Sequence, residues 1–321
     1  MKYIKITLIL CLTLVLFSCG TDNDVSSESI FDTSAPVRDE FDNWLLKNYT
    51  DPYNMQFIYK YVDSETNNSY NVIPPTKESA RAMAILIKYV WIDAYNEVMN
   101  DGGAFMKKYA PRTIFLLGSH QYRTSGERVL GTAEGGLKVT LFGTNELDVD
   151  NIFIDQDSPY PNHSALPIDL NYWFFHTMHH EFCHIMTQKK DYDPTFQNIS
   201  AAHQRLGDWI NLKDKDAPAY GFVSGYASSE YNEDFAEIYS TYITHTQEAW
   251  DKIIADAKKM SEDTELDARS LTADADIANK LEMLKKYFAD SWGLDLDKLR
   301  EVILRRSIEA KNLDLRTLPN S

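Results

Sequence analysis

An apolar run from Ile6 to Phe17, broken only by two threonines, gives way to a polar, acidic stretch from Gly20 to Ser29 with no apolar period. Periodic segments begin after it. Asp39 to Lys47 spaces its apolar residues as a short amphipathic helix, and Gln56 to Val62 alternates as a strand. Pro74-Pro75-Thr76 opens a long helix through Val98, with Thr76 as its cap and Gly102-Gly103 as its stop. Arg112 to Leu117 reads as a buried strand, followed by a turn at Ser125-Gly126, and Leu137 to Gly143 as a further strand. The pattern leaves two places open for that last strand. At a sheet edge its free amides would pair with an extended peptide; inside the sheet it would be plain core.

Apolar residues then crowd from Leu170 to Met186, with Trp173, Phe174, Phe175, Met178, Phe182 and Ile185 among them, as in a buried helix. Asp191 to Ser229 contains Asp193-Pro194, Gly207 and Pro218 and is expected to be loop with short helices bordering a cleft. Beyond it Ile277, Leu281, Leu284, Phe288 and Trp292 recur at helical spacing, as do Leu296, Leu299, Val302 and Ile303. These are core stripes. Few strands and many helices make an α+β chain. No internal repeat, phosphate loop or heptad run is visible.

The crowded segment also carries polar residues that such a helix would not bury without a reason. His180-Glu181-Phe182-Cys183-His184 is an H-E-x-x-H run. Residues four apart on a helix lie about 6 Å apart along its axis and on one face, so both imidazoles can converge on one small ion. Zinc suits them, since it accepts neutral imidazole nitrogens in a tetrahedron. Glu181 faces the place of an attacking water and fits a general base better than a ligand.

The metzincin continuation is excluded, because Thr187 and Lys190 stand where it needs Gly and His. A gluzincin takes its third ligand, a glutamate, from a later helix. Tyr231-Asn232-Glu233-Asp234-Phe235-Ala236-Glu237 has that form, with Glu233 and Glu237 on one face. Glu233 is assigned as third ligand and Glu237 as acceptor for the free N–H of His180, with the reverse assignment as the alternative. Asp234 points elsewhere and is expected to be solvated or capping. His203 competes as a ligand but has no partner residue nearby in sequence. His176, one turn before His180, is too far along the helix for the same ion and is expected to be packed or solvated. His179 and Cys183 are read as structural.

The stretch Ser224-Gly225-Tyr226-Ala227, then Glu233-Asp234-Phe235-Ala236-Glu237, following His180-Glu181-Phe182-Cys183-His184, resembles a lethal-factor-type gluzincin core. More closely, the mature chain resembles the substrate-import-associated zinc metallohydrolase lipoproteins of Bacteroidota, through Phe41-Asp42-Asn43-Trp44, Pro52-Tyr53-Asn54, Val72-Ile73-Pro74-Pro75 and Tyr287-Phe288-Ala289-Asp290-Ser291-Trp292-Gly293. Relatives usually carry Gly or Ala where Cys183 stands, and a thiol is similar in size. The resemblance implies a zincin-like metalloprotease fold with a small mixed sheet, an H-E-x-x-H active-site helix and a helical carboxy-terminal lobe. It implies one Zn2+ per chain and a peptide or protein substrate. It also implies that Tyr226, seven residues before Glu233, stabilises the transition state as a neutral donor. Two alternatives stay open: a non-catalytic surface capture lipoprotein with structural zinc, and a zinc amidase or esterase acting on a non-peptide substrate.

The apolar start completes the picture. Lys2 and Lys5 precede it, and Leu16-Phe17-Ser18-Cys19 reads as a lipobox, so residues 1–18 are expected to be a lipoprotein signal peptide. Cys19 would be the lipidated amino terminus, residues 19–36 an acidic flexible tether, and 37–321 the catalytic domain, in lobes of about 37–168 and 169–321. Acidic residues after Cys19 resemble a surface-export signal. The expected location is the outer membrane, exposed at the cell surface, with a periplasm-facing position as the alternative. Partnership with an outer-membrane import complex of the starch-utilisation type is a further expectation from the resemblance. Once the leader is gone and Cys19 modified, Cys183 is the one free thiol, so no intrachain disulfide is expected. A net charge of −16 argues against nucleic-acid binding.

Overall fold

Alternation along two short strands builds the centre of the sheet. The computed structural model of the chain describes residues 37–66, 71–122, 128–129, 131–134, 137–160, 167–261 and 270–319. Ile114 and Leu116 of β2 (Thr113–Leu116) point into the main core with Val139 and Leu141 of β6 (Lys138–Leu141). Phe115 faces the other way, into a small cluster with Ile58, Leu117, Val129 and Phe142. With both faces covered, β2 and its continuation to Leu117 read as a near-continuous apolar run. β1 (Gln56–Ile58), β2 and β6 are parallel, and β5 (Gly131–Glu134) pairs antiparallel with β6 at the edge, giving the order β1-β2-β6-β5. A separate antiparallel ribbon joins β3 (Gln121–Tyr122) and β4 (Arg128–Val129). The strand expected over 137–143 is therefore interior, and the edge belongs to β5.

Helices supply the rest. α1 runs over 40–53, longer than its amphipathic pattern suggested; Pro52 follows a π-helical stretch, Leu46–Thr50. The expected long helix, α2, spans 77–99, and the Thr76 side chain accepts from Ser79 N–H at 3.1 Å as its cap. It stops at Asn100, in left-handed conformation (φ 48°), before the glycine pair is reached. α3 (Ala104–Tyr109) leads into β2. α4 covers 171–187, π-helical over Asn171–His176 and α-helical over Thr177–Thr187. α5 (Tyr231–Thr244), α6 (Gln247–Ser261), α7 (273–292) and α8 (Leu296–Ala310) follow. The segment before α5 holds short 3-10 turns, as expected of 191–229. Residues 40–321 make one compact unit. No described helix is long and apolar enough to cross a membrane. The leader, Cys19, the tether to residue 36 and the Ser125-Gly126 turn lie outside the described residues.

α4 is held by its apolar side. Phe182 is fully buried, and its ring meets Trp91, Tyr95 and Phe105 edge-on at 5.3, 5.1 and 6.2 Å. Each such pair adds about 0.5–1.5 kcal/mol to the burial itself. On its other flank the helix packs along β5. There a Cβ on Gly131 would lie 2.4 Å from Thr177 Cγ2, so only glycine lets the edge strand approach the helix this closely.

Candidate metal centre

Two turns of α4 and the first turns of α5 face each other, and three electron-pair donors meet between them. His180 Nε2 lies 3.0 Å from His184 Nε2 and 2.9 Å from Glu233 Oε2, and His184 Nε2 lies 3.1 Å from the same oxygen. Ligands held tetrahedrally at zinc–nitrogen and zinc–oxygen distances of about 2.0–2.1 Å sit roughly 3.3 Å apart. The triangle is thus the size a zinc ion requires. The three side chains line an open cavity of about 660 Å³, which leaves the remaining coordination direction to water or substrate. The donor set fits the metal.

Glu237 supports this triangle from behind. Its Oε1 is 2.8 Å from His180 Nδ1, somewhat off the ring N–H line, and 2.9 Å from His176 Nε2. Its Oε2 accepts from Ser224 Oγ at 2.6 Å, and that hydroxyl accepts in turn from Ala227 N–H. His176 is therefore a partner of Glu237 and not simply packed or solvated. His176, His180 and Glu237 form a second cluster of possible donors, but its contact to Glu237 uses the other nitrogen of His180.

The charges explain why the cluster holds together. Burial disfavours a charged imidazole at His180, yet Glu233 and Glu237 outweigh it and raise the group to about 10. Burial likewise opposes the Glu233 carboxylate, but His180 and His184 bring it down to about 2. Glu237 is held well below the usual carboxylate range in spite of its burial, by His176 and His180. The pocket sets a buried carboxylate, Glu237, and a half-buried one, Glu233, around the histidines, and the pair demands positive charge. A divalent cation supplies it.

Glu181 and Tyr226 line the cavities on both sides of the triangle. The Tyr226 ring is 5.9 Å from the His180 ring and is braced edge-on by Trp209 at 4.8 Å. Its loop is drawn tight because Gly225 allows contact with the backbone of Leu212: a Cβ there would lie 2.0 Å from the Leu212 carbonyl oxygen. Gly225 N–H also donates to Asp214.

The other sequence candidates fall outside. His203 packs against Tyr220 and joins no donor cluster among the described residues. His179 is fully buried beside Tyr95, and burial pushes it down to about 3. Cys183 is buried, with its thiol pushed well above the usual range by burial. Asp234 overturns its expected solvated or capping role: it is 1 % exposed and pairs with Lys280, 46 residues further along the chain in α7. Ser224 and Lys280 had no assigned role from sequence. Ser224 was visible only as part of the stretch leading to Tyr226.

Comparison with known proteins points to the same metal. The model of a family described as "Putative zinc-binding metallo-peptidase" matches residues 34–297. A solved structure from Bacteroides caccae, described as a "putative zinc-binding metallo-peptidase", is 36% identical, covers 91% of this chain and 100% of that chain, and superposes with a TM-score of 0.67. Among curated proteins no relative matches.

Proposed function

The chain belongs to this family of zinc-binding metallo-peptidases, and from that premise we propose that it hydrolyses peptide bonds at a gluzincin-type centre, with His180, His184 and Glu233 as ligands. The observation that carries the reading is the convergence of three donor atoms beside an open cavity. Zinc, when bound, polarises the scissile carbonyl and makes water acidic enough to react near neutral pH. Glu181 takes the proton from the attacking water and delivers it to the amine that leaves as the C–N bond breaks. The Tyr226 hydroxyl donates to the carbonyl oxygen as it gains charge. Glu237 fixes the orientation and tautomer of His180. A peptide lies extended against β5, whose Gly131 and Thr132 line the same cavity.

Replacing Glu181 by Gln tests the scheme. The expected result is retained zinc with hydrolysis of a peptide library reduced about 10²–10⁴-fold. Tyr226→Phe is expected to lower kcat about 10²-fold with little change in KM. Unchanged turnover in Glu181→Gln would refute the assignment. Cleavage of amides or esters but of no peptide would move the activity to the non-peptide alternative. A structural zinc in a capture protein would have four closed protein ligands, whereas the triangle here opens on a cavity.

Residues 2–19 support attachment of the chain to the outer membrane through lipidated Cys19. The acidic residues that follow support a position facing the cell surface, and the sequence resemblance adds a nutrient importer as partner. Labelled fatty acid should enter the wild-type chain and not Cys19→Ala, and protease added to intact cells should remove it. Resistance in intact cells with sensitivity after lysis would place it on the periplasmic face. Failure to co-purify with any importer would separate it from that partner.

A further inference from the structure

The cleft has two unlike flanks meeting at the metal triangle. One is the cavity of about 660 Å³, whose further lining includes Asp191, Gln188, Gln197, Glu230 and Asn232 and, among the described residues, no lysine or arginine. The other is a cavity of about 690 Å³ that shares Gly131, His180, Glu181 and Tyr226 with the first. Its walls are Tyr172, Trp173 and Trp209, with Val129, Leu212 and Val223 between them. Exposed Arg128, Lys213 and Lys215 line it as well. Apart from Glu181, shared with the first cavity, its carboxylates are engaged: Asp214 accepts from Gly225 N–H, and Glu237 holds the histidines.

Physical chemistry assigns these flanks opposite preferences. A volume in the range of small-ligand pockets, walled by aromatic and aliphatic side chains, gains most from burying a bulky apolar group. Beyond the metal, an acidic, polar cleft lined by no basic side chain among the described residues gains from a positive one. We infer that the enzyme selects peptides with a basic residue on one side of the scissile bond and a bulky apolar residue, aromatic or branched aliphatic, on the other. The basic residue lies toward Asp191 and Glu230, and the apolar one between Trp173, Trp209 and Val223. The inference rests on the peptidase reading and adds its substrate class.

The test is a set of peptides carrying Ala, Lys, Glu or Phe in every combination at the two positions around a central bond. Zinc-loaded full chain digests them, and mass spectrometry maps the cut. Pairs of Lys with Phe, in one order, should be cleaved at least about tenfold faster than Ala with Ala, and Glu on the polar side should be the slowest. Val223→Phe, which fills the apolar flank, should abolish the advantage of Phe while Ala with Ala is still cut. Glu230→Lys should do the same to the advantage of Lys. In zinc-loaded Glu181→Gln the Lys-Phe peptide should bind at least about tenfold more tightly than the Ala-Ala peptide, independently of turnover. Equal cleavage and equal binding of all peptides would overturn the inference while leaving the peptidase intact. Binding with the expected preference but no cleavage by the wild type would refute the peptidase reading and support the subsites.

Discussion

The Lys280 ammonium group lies 2.5 Å from the Asp234 carboxylate, and both side chains are buried, one residue along the chain from Glu233. Lys280 also donates to the carbonyl oxygen of Gly221 at 2.8 Å and sits over the Phe222 ring at 4.3 Å. One cation thus ties α5, which carries Glu233 and Glu237, to the loop that carries Ser224 and Tyr226. Burial is the larger influence on both charges, raising Asp234 to about 6 and lowering Lys280, and their attraction opposes it.

Removing half of such a pair strands the other charge. Lys280→Met is expected to cost about 3–5 kcal/mol of unfolding free energy in urea. The double change Lys280→Met with Asp234→Leu should recover most of it, because two apolar groups need no partner. Equal loss in both variants would mean that the pair contributes through packing alone.

Glu237 makes a different prediction, because it touches His180 and not the ion. Glu237→Gln should weaken zinc binding about 10–100-fold, measured by competition with a chelator, and leave the fold intact. If zinc affinity did not change, its contacts at 2.8 and 2.9 Å to two histidines would be structural only.

Asp169 sets a pH dependence away from the metal. It precedes α4, is 8 % exposed, and accepts from the backbone N–H groups of Asp155 and Asn171 at 2.9 and 3.0 Å. Burial raises it to about 6, with those donors pulling the other way. The folded value exceeds the ordinary one, so protonation favours the fold. Its contribution is therefore complete below about pH 4 and is lost as pH rises through 6. Relative to Asp169→Asn, metal-free wild type should lose on the order of 2–3 kcal/mol between pH 4 and 6 and nothing further above. A constant difference over that range would show that the carboxyl is not shifted.

What the sequence revealed was local. The spacing of His180 and His184, and of Glu233 and Glu237, needs only the helical period, and the structure brings those side chains together. The core stripes of α7 and α8 were legible for the same reason. Lys280 was not, because its partner lies in another helix and a lysine in a polar-looking sequence reads as surface. β5 was missed because Gly131-Thr132-Ala133-Glu134 has no apolar alternation and exists as a strand only by pairing with β6. Of the two places open to the 137–143 strand, the structure takes the interior one, because β5 covers its outer side. His176 stood in register with His180, but only the position of Glu237 shows what it binds.

The central claim is that two imidazoles of α4 and Glu233 of α5 grip one zinc ion. Metal content of the purified full chain, after zinc loading and dialysis, measures it most directly. Wild type should hold about one zinc ion per chain, and His184→Ala and Glu233→Ala far less, with the fold retained by circular dichroism. Wild type without stoichiometric zinc, or variants that retain it as fully, would contradict the account.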